Sequence, residues 1–437
     1  MTVSATARGR LRSPWGTTWM LLAFMLVNFA DKAVLGLAGP DLMRDLDISR
    51  QQFGTAQSAF FALFSVSAIG VSYLTRTVRT TVLLLAMALL WSAAQTPLVW
   101  GAAGLRHARG DPGAAGRGGR AAAPVAVHHV HGWFPQRERT PPTAVLLFGG
   151  AVGVALAAPT LSVVIDAWGW RWAFGLVALI GLVWAAVWSA CGGEGPYAPD
   201  GGSDDAAADE EPAVPLRRVL LSGTFLTACV ATFAAYWLMS AKLTWGPDYL
   251  ESVMGWSGRQ AGLLIGAVSL ANGATLLLHG LLAHRAARSG RTARIRHGAG
   301  AGLLMLGAAA AVALFAVTDA AWLTTLLMFG PLSMAMVMMT VSQTACARIT
   351  PPSQRGVVLG TLTAVFALGG VLAPTVLGRI VDAAQDADAG FRNGWLLTAA
   401  LLAVGGVLAT AFLRAERDAE RLGVPEAEGA AAPVAVH

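Results

Sequence analysis

Long apolar stretches separated by short polar segments dominate the chain. Most of the apolar stretches are about 20 residues long or longer, and a helix of about 20 residues crosses the hydrocarbon core of a bilayer. The pattern therefore predicts an all-α polytopic membrane protein. The predicted spans are residues 15–40, 51–74, 81–100, 142–165, 172–188, 219–242, 261–283, 298–317, 321–345, 357–381 and 394–413.

The composition supports a membrane location. The chain has 437 residues, of which 55% are hydrophobic and 13% charged, whereas roughly 25% of the residues in soluble domains are charged. The net charge of +6 does not indicate a nucleic-acid partner, because the arginines form short clusters between the spans. The three cysteines lack metal-ligand spacing, and no nucleophile–base pair or phosphate loop is evident. We therefore predict no metal, no cofactor and no enzymatic activity.

A change of composition divides the chain into two halves. Residues 192–216 are rich in Gly, Ala, Pro and acidic residues and have no apolar face, which is typical of a solvated linker. The linker separates an amino-terminal bundle, residues 15–191, from a carboxy-terminal bundle, residues 217–414. Residues 1–14 and 415–437 form polar tails. Each bundle is predicted to contain six helices, provided that a fourth span exists in the first half.

The placement of cationic residues predicts the orientation, because Lys and Arg are enriched in cytoplasmic loops. We predict a multi-pass protein of the inner or plasma membrane with both termini and the linker in the cytoplasm. The cations assigned to that side are Arg8, Arg10, Arg12, Arg76, Arg79, Arg137, Arg139, Arg217, Arg218, Arg285, Arg288, Arg291, Arg294, Arg296, Arg348, Arg355, Arg414, Arg417 and Arg421.

The two halves share a sequence pattern. Arg139 precedes a Gly-rich apolar span with Pro159 near its far end, and Arg355 precedes a similar span with Pro374. Such parallel repeats of six helices place a substrate site near the bilayer midplane, where the two repeats meet. The sequence therefore predicts a central site between two bundles.

Two adjacent charges interrupt the first span, and they are the first candidates for this site. An ionised side chain near the bilayer centre costs about 2.5–3.5 kcal/mol even on lenient scales, so it is expected to face protein, water or an opposite charge. We predict that Lys32 faces a cavity. Asp31 points about 100° away from Lys32 on a helix, so the two cannot both face one cavity squarely. The alternatives are that both charges snorkel to the interface or pair with a neighbouring helix.

Further polar residues within the spans are candidates for the same site. Lys242, in the seventh span, is predicted to be a second cation of the cavity, with snorkelling as the alternative. Asn28 lies one turn before Lys32. The remaining polar residues are expected to form interhelical hydrogen bonds and not to bind a ligand, and His279, near a cytoplasmic end, is expected to be a solvated cap. Asn272 and Gln343 are also candidates for reading substrate hydroxyls. The remaining polar residues are Gln57, Gln95, Asn272, His279 and Gln343.

Together these features resemble the major facilitator superfamily, and within it the anion:cation symporter family of organic-anion importers. The resemblance covers roughly residues 15–415 and rests on four motifs in the expected order. They are NFADK at residues 28–32, WFPQRER at residues 133–139, GWRWAF at residues 169–174 and WGPDYL at residues 245–250. The family usually has Arg where this chain has Lys32, a change that keeps the charge but loses the bidentate fork.

The resemblance implies a proton-coupled importer of a small organic anion, such as a sugar acid, an aromatic acid or a dicarboxylate, that works by alternating access as a monomer in the lipid bilayer. Lys32 is implied to hold the substrate carboxylate, and Asp31 is the best candidate for proton coupling. The alternatives are an exporter of drugs or metabolites and a non-transporting paralogue. The residues assigned to the family's cytoplasmic gating motifs are Arg76, Arg79, Arg137, Glu138, Arg139 and Arg355. The loop containing Arg76 and Arg79 lacks the family's Asp, so a latch built on that carboxylate is absent or replaced.

The predicted fourth span is abnormal. Residues 105–121 contain four Arg residues, with Gly and Pro among them, so this segment cannot cross a membrane as a regular apolar helix. If the codons of Gly104 to Arg120 are read one base later, they permit the string GFATLAATRVLLGAGEG, which resembles the family's R-x-x-x-G-x-x-E-G helix. We hypothesise two compensating frame changes, from either an error in the DNA sequence or a genuine lesion. By resemblance, the Arg and Glu of that helix would bind substrate and couple protons, so confirmation of the printed residues in the DNA would support the alternative of a non-transporting paralogue.

The coding DNA tests this hypothesis. Recovery of the Glu requires that the codon of Arg120 begin with A, because the shifted reading takes that base as its third position. We expect AGG at Arg120, because the second and third bases of this codon together with the first base of the Ala121 codon then also encode the final Gly of the string. Resequencing of the gene provides the measurement. A CGN codon at this position would exclude the frame hypothesis.

Overall fold

The computed structural model describes residues 13–74, 78–99, 122–197, 214–288 and 298–424. Arg76 and the abnormal segment at residues 105–121 lie outside these ranges. All regular secondary structure in the described part of the chain is helical. This agrees with the all-α class predicted from the apolar pattern.

Seven helices make up the described part of the first half. They are α1 (Pro14–Leu37), α2 (Gly39–Leu46), α3 (Arg50–Leu74), α4 (Thr80–Val99), α5 (Ala122–His131), α6 (Thr140–Trp168) and α7 (Trp170–Cys191). Nine helices follow in the second half. They are α8 (Leu216–Leu220), α9 (Gly223–Ser252), α10 (Gly258–Arg288), α11 (Gly298–Val317), α12 (Ala321–Phe329), α13 (Val337–Arg348), α14 (Arg355–Ala383), α15 (Ala387–Phe412) and α16 (Ala415–Leu422).

Local capping and overall apolarity explain where the long helices begin and how they sit in lipid. Ser13 and Ser222 accept hydrogen bonds from the amides of Gly16 and Phe225, so they cap α1 and α9. Within the described ranges, nine helical segments are long and apolar enough to cross a membrane, with α12 and α13 counted as one segment. Large apolar side chains remain exposed on their outer surfaces, as lipid contact requires.

The helices define two opposite faces of the molecule. We call the face at which α1 begins and α15 ends the terminal face. We call the face at which α1 ends and α3 begins the closed face, because the two halves meet there. Between the first two predicted spans, residues 39–46 form the short helix α2, which ends at Asp47 in a left-handed conformation.

Close packing between the halves takes place along α3 with α14 and along α6 with α10, and α1 also contacts α9. Glycines make this approach possible. A side chain at Gly54 would collide with the carbonyl oxygen of Pro374, and one at Gly36 would collide with that of Leu243. A single buried apolar cluster joins the closed-face part of the first half to the second half, whereas the terminal end of the first half has a separate cluster. The two halves are therefore closely packed against each other at the closed face.

The internal repeat is visible in the structure. Helices α6 and α14 both contain 29 residues, and Pro159 and Pro374 each occupy the twentieth position of their helix. Arg139 donates from Nε to the carbonyl of Phe134 at 3.2 Å, and Arg355 donates from Nε to that of Thr350 at 3.3 Å, five residues earlier in each case. The shared pattern of the two halves thus corresponds to matching local structure.

Gly54 is expected to be essential for closure. The methyl group of Gly54→Ala would overlap the Pro374 carbonyl, so we expect the variant to populate the closed contact much less than wild type. Spin labels at Gln52→Cys and Gln385→Cys, both exposed at the closed face, would report the separation of α3 from the end of α14. The three native cysteines are buried, which favours selective labelling.

Gly307→Ala provides the matched control, because a side chain at Gly307 would meet no atom within 4 Å. Its label separation should equal that of wild type. An unchanged separation in Gly54→Ala would contradict the proposed role of the glycine contact.

Candidate substrate site and gate

Lys32 lies on α1 close to the contact between the halves. Its side chain is half-buried, with Nζ 4.2 Å from the centroid of the Phe29 ring. Phe29 in turn packs against Gly150 and Gly153 of α6. One turn beyond Lys32, Gly36 lies against α9 of the other half. Lys32 is therefore one helical turn from the position where the two halves touch.

Asp31 faces a different direction. It is 4% exposed and accepts a hydrogen bond of 2.6 Å from Nε2 of Gln95 on α4. A small cavity beside it is lined by Trp91, Ser92 and Trp184 and lies wholly within the first half. The roughly 100° step per helical residue accounts for this divergence from Lys32. The predicted interhelical role of Gln95 is confirmed by the same hydrogen bond.

Lys242 is the counterpart of Lys32 in the second half. It is half-buried on α9, directly before Leu243, whose carbonyl faces Gly36. Within the described ranges, no hydrogen bond or ion pair involves Lys242. An ammonium inside an apolar helix without such a partner is expected to have access to water or to a ligand.

Several buried polar atoms on α1, α3 and α9 have no hydrogen-bond partner among the described residues. They include Asn28 Nδ2, Thr244 Oγ1 and both amide atoms of Gln57. The expected interhelical hydrogen bond of Gln57 is therefore wrong. Gln57 lies on α3, one turn after Phe53 and Gly54. Because both of these residues contact Trp245 of α9, the side of α3 that carries Gln57 faces an apolar part of α9. An unpaired buried polar group costs about 1–3 kcal/mol, which makes these atoms candidates for contact with a ligand.

The two remaining candidates for reading hydroxyls differ in exposure. Asn272 on α10 is half-buried, and its Oδ1 has no described partner. Gln343 on α13 is exposed, together with Thr340 and Thr344 on the same helix. The structure does not bring either residue into a described contact with Lys32.

The described residues of the predicted gating motifs, all of them except Arg76, lie at the terminal face. Arg79, Arg137 and Glu138 are exposed. Arg139 and Arg355 instead brace the loops that precede α6 and α14, since each guanidinium donates to backbone carbonyls. These two arginines thus have a local structural role in addition to any role in gating.

A polar network at the terminal face connects the start of the linker to the first half. Glu194 accepts hydrogen bonds from Thr80 Oγ1 and from the amide and hydroxyl of Thr81 at the start of α4. His129 is fully buried, and its Nδ1 lies 2.7 Å from Thr80 Oγ1. Trp133 donates a hydrogen bond to His129 Nε2, so in the neutral ring the proton is on Nδ1. His129 Nδ1 therefore donates to the Thr80 hydroxyl, and this hydroxyl donates to Glu194. Partial burial alone would raise the pKa of Glu194, but the hydrogen bonds from Thr81 bring this pKa below its usual value.

Three charged residues, Arg50, Asp248 and Asp382, link three helices at the closed face. We call this set of residues the gate. Arg50 begins α3, and its guanidinium forms a two-pronged pair with Asp248 of α9, with Nε 2.7 Å from Oδ2 and Nη2 3.2 Å from Oδ1. Asp248 is almost fully buried, with 5% side-chain exposure. The carboxylate of Asp382, near the end of α14, accepts from the amides of Arg50 and Gln51 at 3.2 and 2.7 Å. It therefore caps α3 from the other half.

These three residues were not connected in the sequence analysis. The partners are 198 and 332 positions apart in the chain, so no local pattern connects them. The one available signal is that Asp248 belongs to the WGPDYL motif, where a carboxylate sits inside an otherwise apolar run.

Comparisons with known proteins agree with this architecture. The family model described as Major Facilitator Superfamily matches residues 20–374 and 293–436. The chain therefore belongs to the major facilitator superfamily, a family of membrane transporters, and it is not an enzyme.

Two named transporters and one solved structure are similar to this chain. The chain is 26% identical over 306 residues to a D-galactonate transporter of Escherichia coli O6:H1 (66% of this chain, 70% of that protein). It is 28% identical over 239 residues to a hexuronate transporter of Bacillus subtilis strain 168 (53% of this chain, 55% of that protein). The second match thus spans about half the length of the relative. A crystal structure of a bacterial homologue of the human lysosomal transporter Spinster shares the fold, with a TM-score of 0.75, 16% identity and coverage of 93% of this chain and 97% of that chain.

The gate predicts a strong effect of breaking the Arg50–Asp248 pair. Asp248→Asn removes a buried charge that accepts two hydrogen bonds from Arg50, each worth about 1.5–3 kcal/mol. We expect the closed contact to become at least about tenfold less populated relative to the open form. The spin-label pair on residues 52 and 385 provides the measurement.

Arg50→Lys is a matched variant, because it keeps the charge but cannot form the two-pronged pair. It should fall between wild type and Asp248→Asn. If both variants match wild type, the pair does not hold the closed face.

Proposed function

We propose that the protein imports a small organic anion, with a sugar acid as the leading class, by proton-coupled alternating access. The observation that supports this most directly is Lys32, a half-buried cation one turn from the contact between the halves. The names of the D-galactonate and hexuronate transporters among its relatives support the same substrate class, since each of these anions carries a carboxylate. Lys32 and Lys242 would attract the anion, and Asn28, Asn272 and Gln343 would read its hydroxyls.

In this proposal the closed face is directed outward. The two bundles, residues 15–191 and 217–414, rock about the central site, and opening to the outside requires separation of Arg50 from Asp248 and Asp382. The terminal face is proposed to be cytoplasmic, in an inner or plasma membrane, because most of the clustered arginines lie there. The protein would work as a monomer, since each chain contains both bundles and the site between them.

Asp31 is the proposed proton carrier. Carboxylates buried within spans are the usual proton relays of transporters. Its hydrogen bond to Gln95 places it on the far side of α1 from α9, so proton binding would act on the packing of the first half and not directly on the substrate. Asp31 and Lys32 are adjacent in the chain, so a change in the charge of Asp31 would act directly on the neighbouring ammonium of Lys32.

Uptake assays test the importer. The full chain in proteoliposomes would be assayed with labelled D-galactonate, D-glucuronate and benzoate, with an inward proton gradient and without one. We expect uptake of at least one sugar acid to rise with the gradient. Lys32→Ala should lower this uptake by roughly tenfold or more, because a charge-assisted contact with the carboxylate is worth about 1.5–3 kcal/mol.

Lys32→Arg is the charge-conserving control and should retain most of the activity. Absence of uptake of all three anions by wild type would reject the importer. Equal uptake by wild type and Lys32→Ala would reject the assigned cation.

A further inference from the structure

A cleft at the terminal face lies apart from the substrate site and from the gate. It is formed between α8 and the end of α16 and has a volume of about 500 Å³. Its lining consists of Arg217, Arg218, Leu221 and Leu422, and we call it the basic cleft. Among the described residues, no carboxylate contributes to this lining. The cleft therefore combines two positive charges with two apolar side chains.

The local sequence explains why both arginines are exposed. In α8 the apolar residues Leu216, Val219 and Leu220 pack on the core. Arg217 and Arg218 are exposed on the outer side of the same short helix. Neither guanidinium forms a hydrogen bond or an ion pair with a described residue. Two adjacent cations are thus open to an anion from outside the described part of the chain.

Helix α16 forms the opposite wall of the basic cleft, and Asp418 holds it in place. The buried carboxylate of Asp418 accepts hydrogen bonds from the amide and the hydroxyl of Thr224, at 2.8 and 2.7 Å, near the start of α9. Ala419 packs into the core beside it, and Leu422 follows one turn after Asp418. The carboxylate of Asp418 is therefore bound to α9 and does not neutralise the arginines.

Exposed apolar side chains continue from the basic cleft along the outer surface of the second half. Leu221 is exposed, and Leu226 and Val230 follow on the outer side of α9. Phe412, at the end of α15, is also exposed, and its backbone lies beside Gly223 at the start of α9. Apolar side chains on the outside of a membrane helix contact acyl chains. A ligand that fits both the cations and this apolar surface has an anionic head and apolar tails.

We propose that the basic cleft binds the phosphate of an anionic phospholipid. The guanidinium groups of Arg217 and Arg218 would contact the phosphate oxygens, because the planar donors of arginine match phosphate geometry. Leu221 and the apolar surface of α9 would contact the acyl chains. The cleft lies directly before α9, a helix long and apolar enough to cross a membrane, and basic pockets at such helix ends suit anionic headgroups. This inference does not depend on the proposed transport of an organic anion.

The acidic linker is the alternative occupant of the basic cleft. Its residues Glu210 and Glu211 lie shortly before Arg217 in the sequence, so they could neutralise the arginines without a lipid. The lipid is favoured because the lining also contains Leu221 and Leu422, which a carboxylate side chain does not cover with apolar groups.

Native mass spectrometry of the full chain in detergent tests the proposal. The probes are phosphatidylglycerol and phosphatidylcholine with identical acyl chains, which share a phosphate and differ in net charge. We expect the Kd of wild type for phosphatidylglycerol to be about tenfold lower or more. Equal Kd values for the two lipids would overturn the proposal.

A pair of double variants then tests the position of the site. Arg217→Gln with Arg218→Gln should raise the Kd for phosphatidylglycerol roughly tenfold, to that for phosphatidylcholine. The matched control is Arg414→Gln with Arg417→Gln, which removes two exposed arginines that do not line the cleft and should keep the wild-type preference. Equal losses in both double variants would show a general effect of net charge and overturn the assignment to the cleft.

Two further measurements separate the phospholipid from other occupants. Inorganic phosphate and glycerol 1-phosphate, which lack acyl chains, should not displace phosphatidylglycerol at equal concentration. Displacement by either would identify a soluble phosphate as the ligand and overturn the lipid. Glu210→Gln with Glu211→Gln should leave the Kd for phosphatidylglycerol unchanged, whereas a lipid preference that appears only in this variant would assign the cleft to the linker. The lipid comparison and the competition use wild type, so they decide the question even if the Arg217 and Arg218 variant does not fold.

Discussion

The high cost of a charge in an apolar interior is the constraint on which this structure depends. Lys32, Lys242 and Asp248 all lie within membrane-length helices, and each must be solvated, paired or bound. Asp248 meets this requirement through the two-pronged contact with Arg50. Lys32 and Lys242 are half-buried near the contact between α1 and α9, and the proposed function assigns both lysines to the substrate anion.

The internal repeat gives the two halves equivalent helices, but the contacts between the halves at the closed face are not equivalent. Pro159 and Pro374 occupy matching positions, as do the loop-bracing contacts of Arg139 and Arg355. By contrast, α3 is held by the buried carboxylate of Asp248 on α9 and by Asp382 on α14, whereas α6 and α10 meet through small residues such as Gly262 against Ser162 and through the exposed ion pair of Arg259 with Asp166. Buried pairs are screened by salt less than exposed ones, so the Arg50–Asp248 pair is the more persistent of the two charge contacts.

Apolar periodicity was sufficient to predict the helical class, the approximate spans and the repeat, because membrane helices must be long and internally hydrogen-bonded. It also identified Lys32 and Lys242, since a charge in an apolar run is visible locally. It could not predict the Arg50–Asp248–Asp382 gate, whose members are hundreds of residues apart. It also assigned Gln57 an interhelical hydrogen bond that the structure lacks. The direction of a polar side chain at an interface between helices depends on tertiary packing.

The cap that Asp382 provides for α3 has a mechanical consequence. A carboxylate from one bundle completes the first turn of a helix in the other, so separation of the bundles exposes two backbone amides to solvent. Water can replace the lost acceptor at this surface position, which keeps the exchange reversible. In the proposed alternating access, this cap at the first turn of α3 would be broken and re-formed in each cycle, together with the buried contacts of Asp248 and of the apolar cluster that joins the halves.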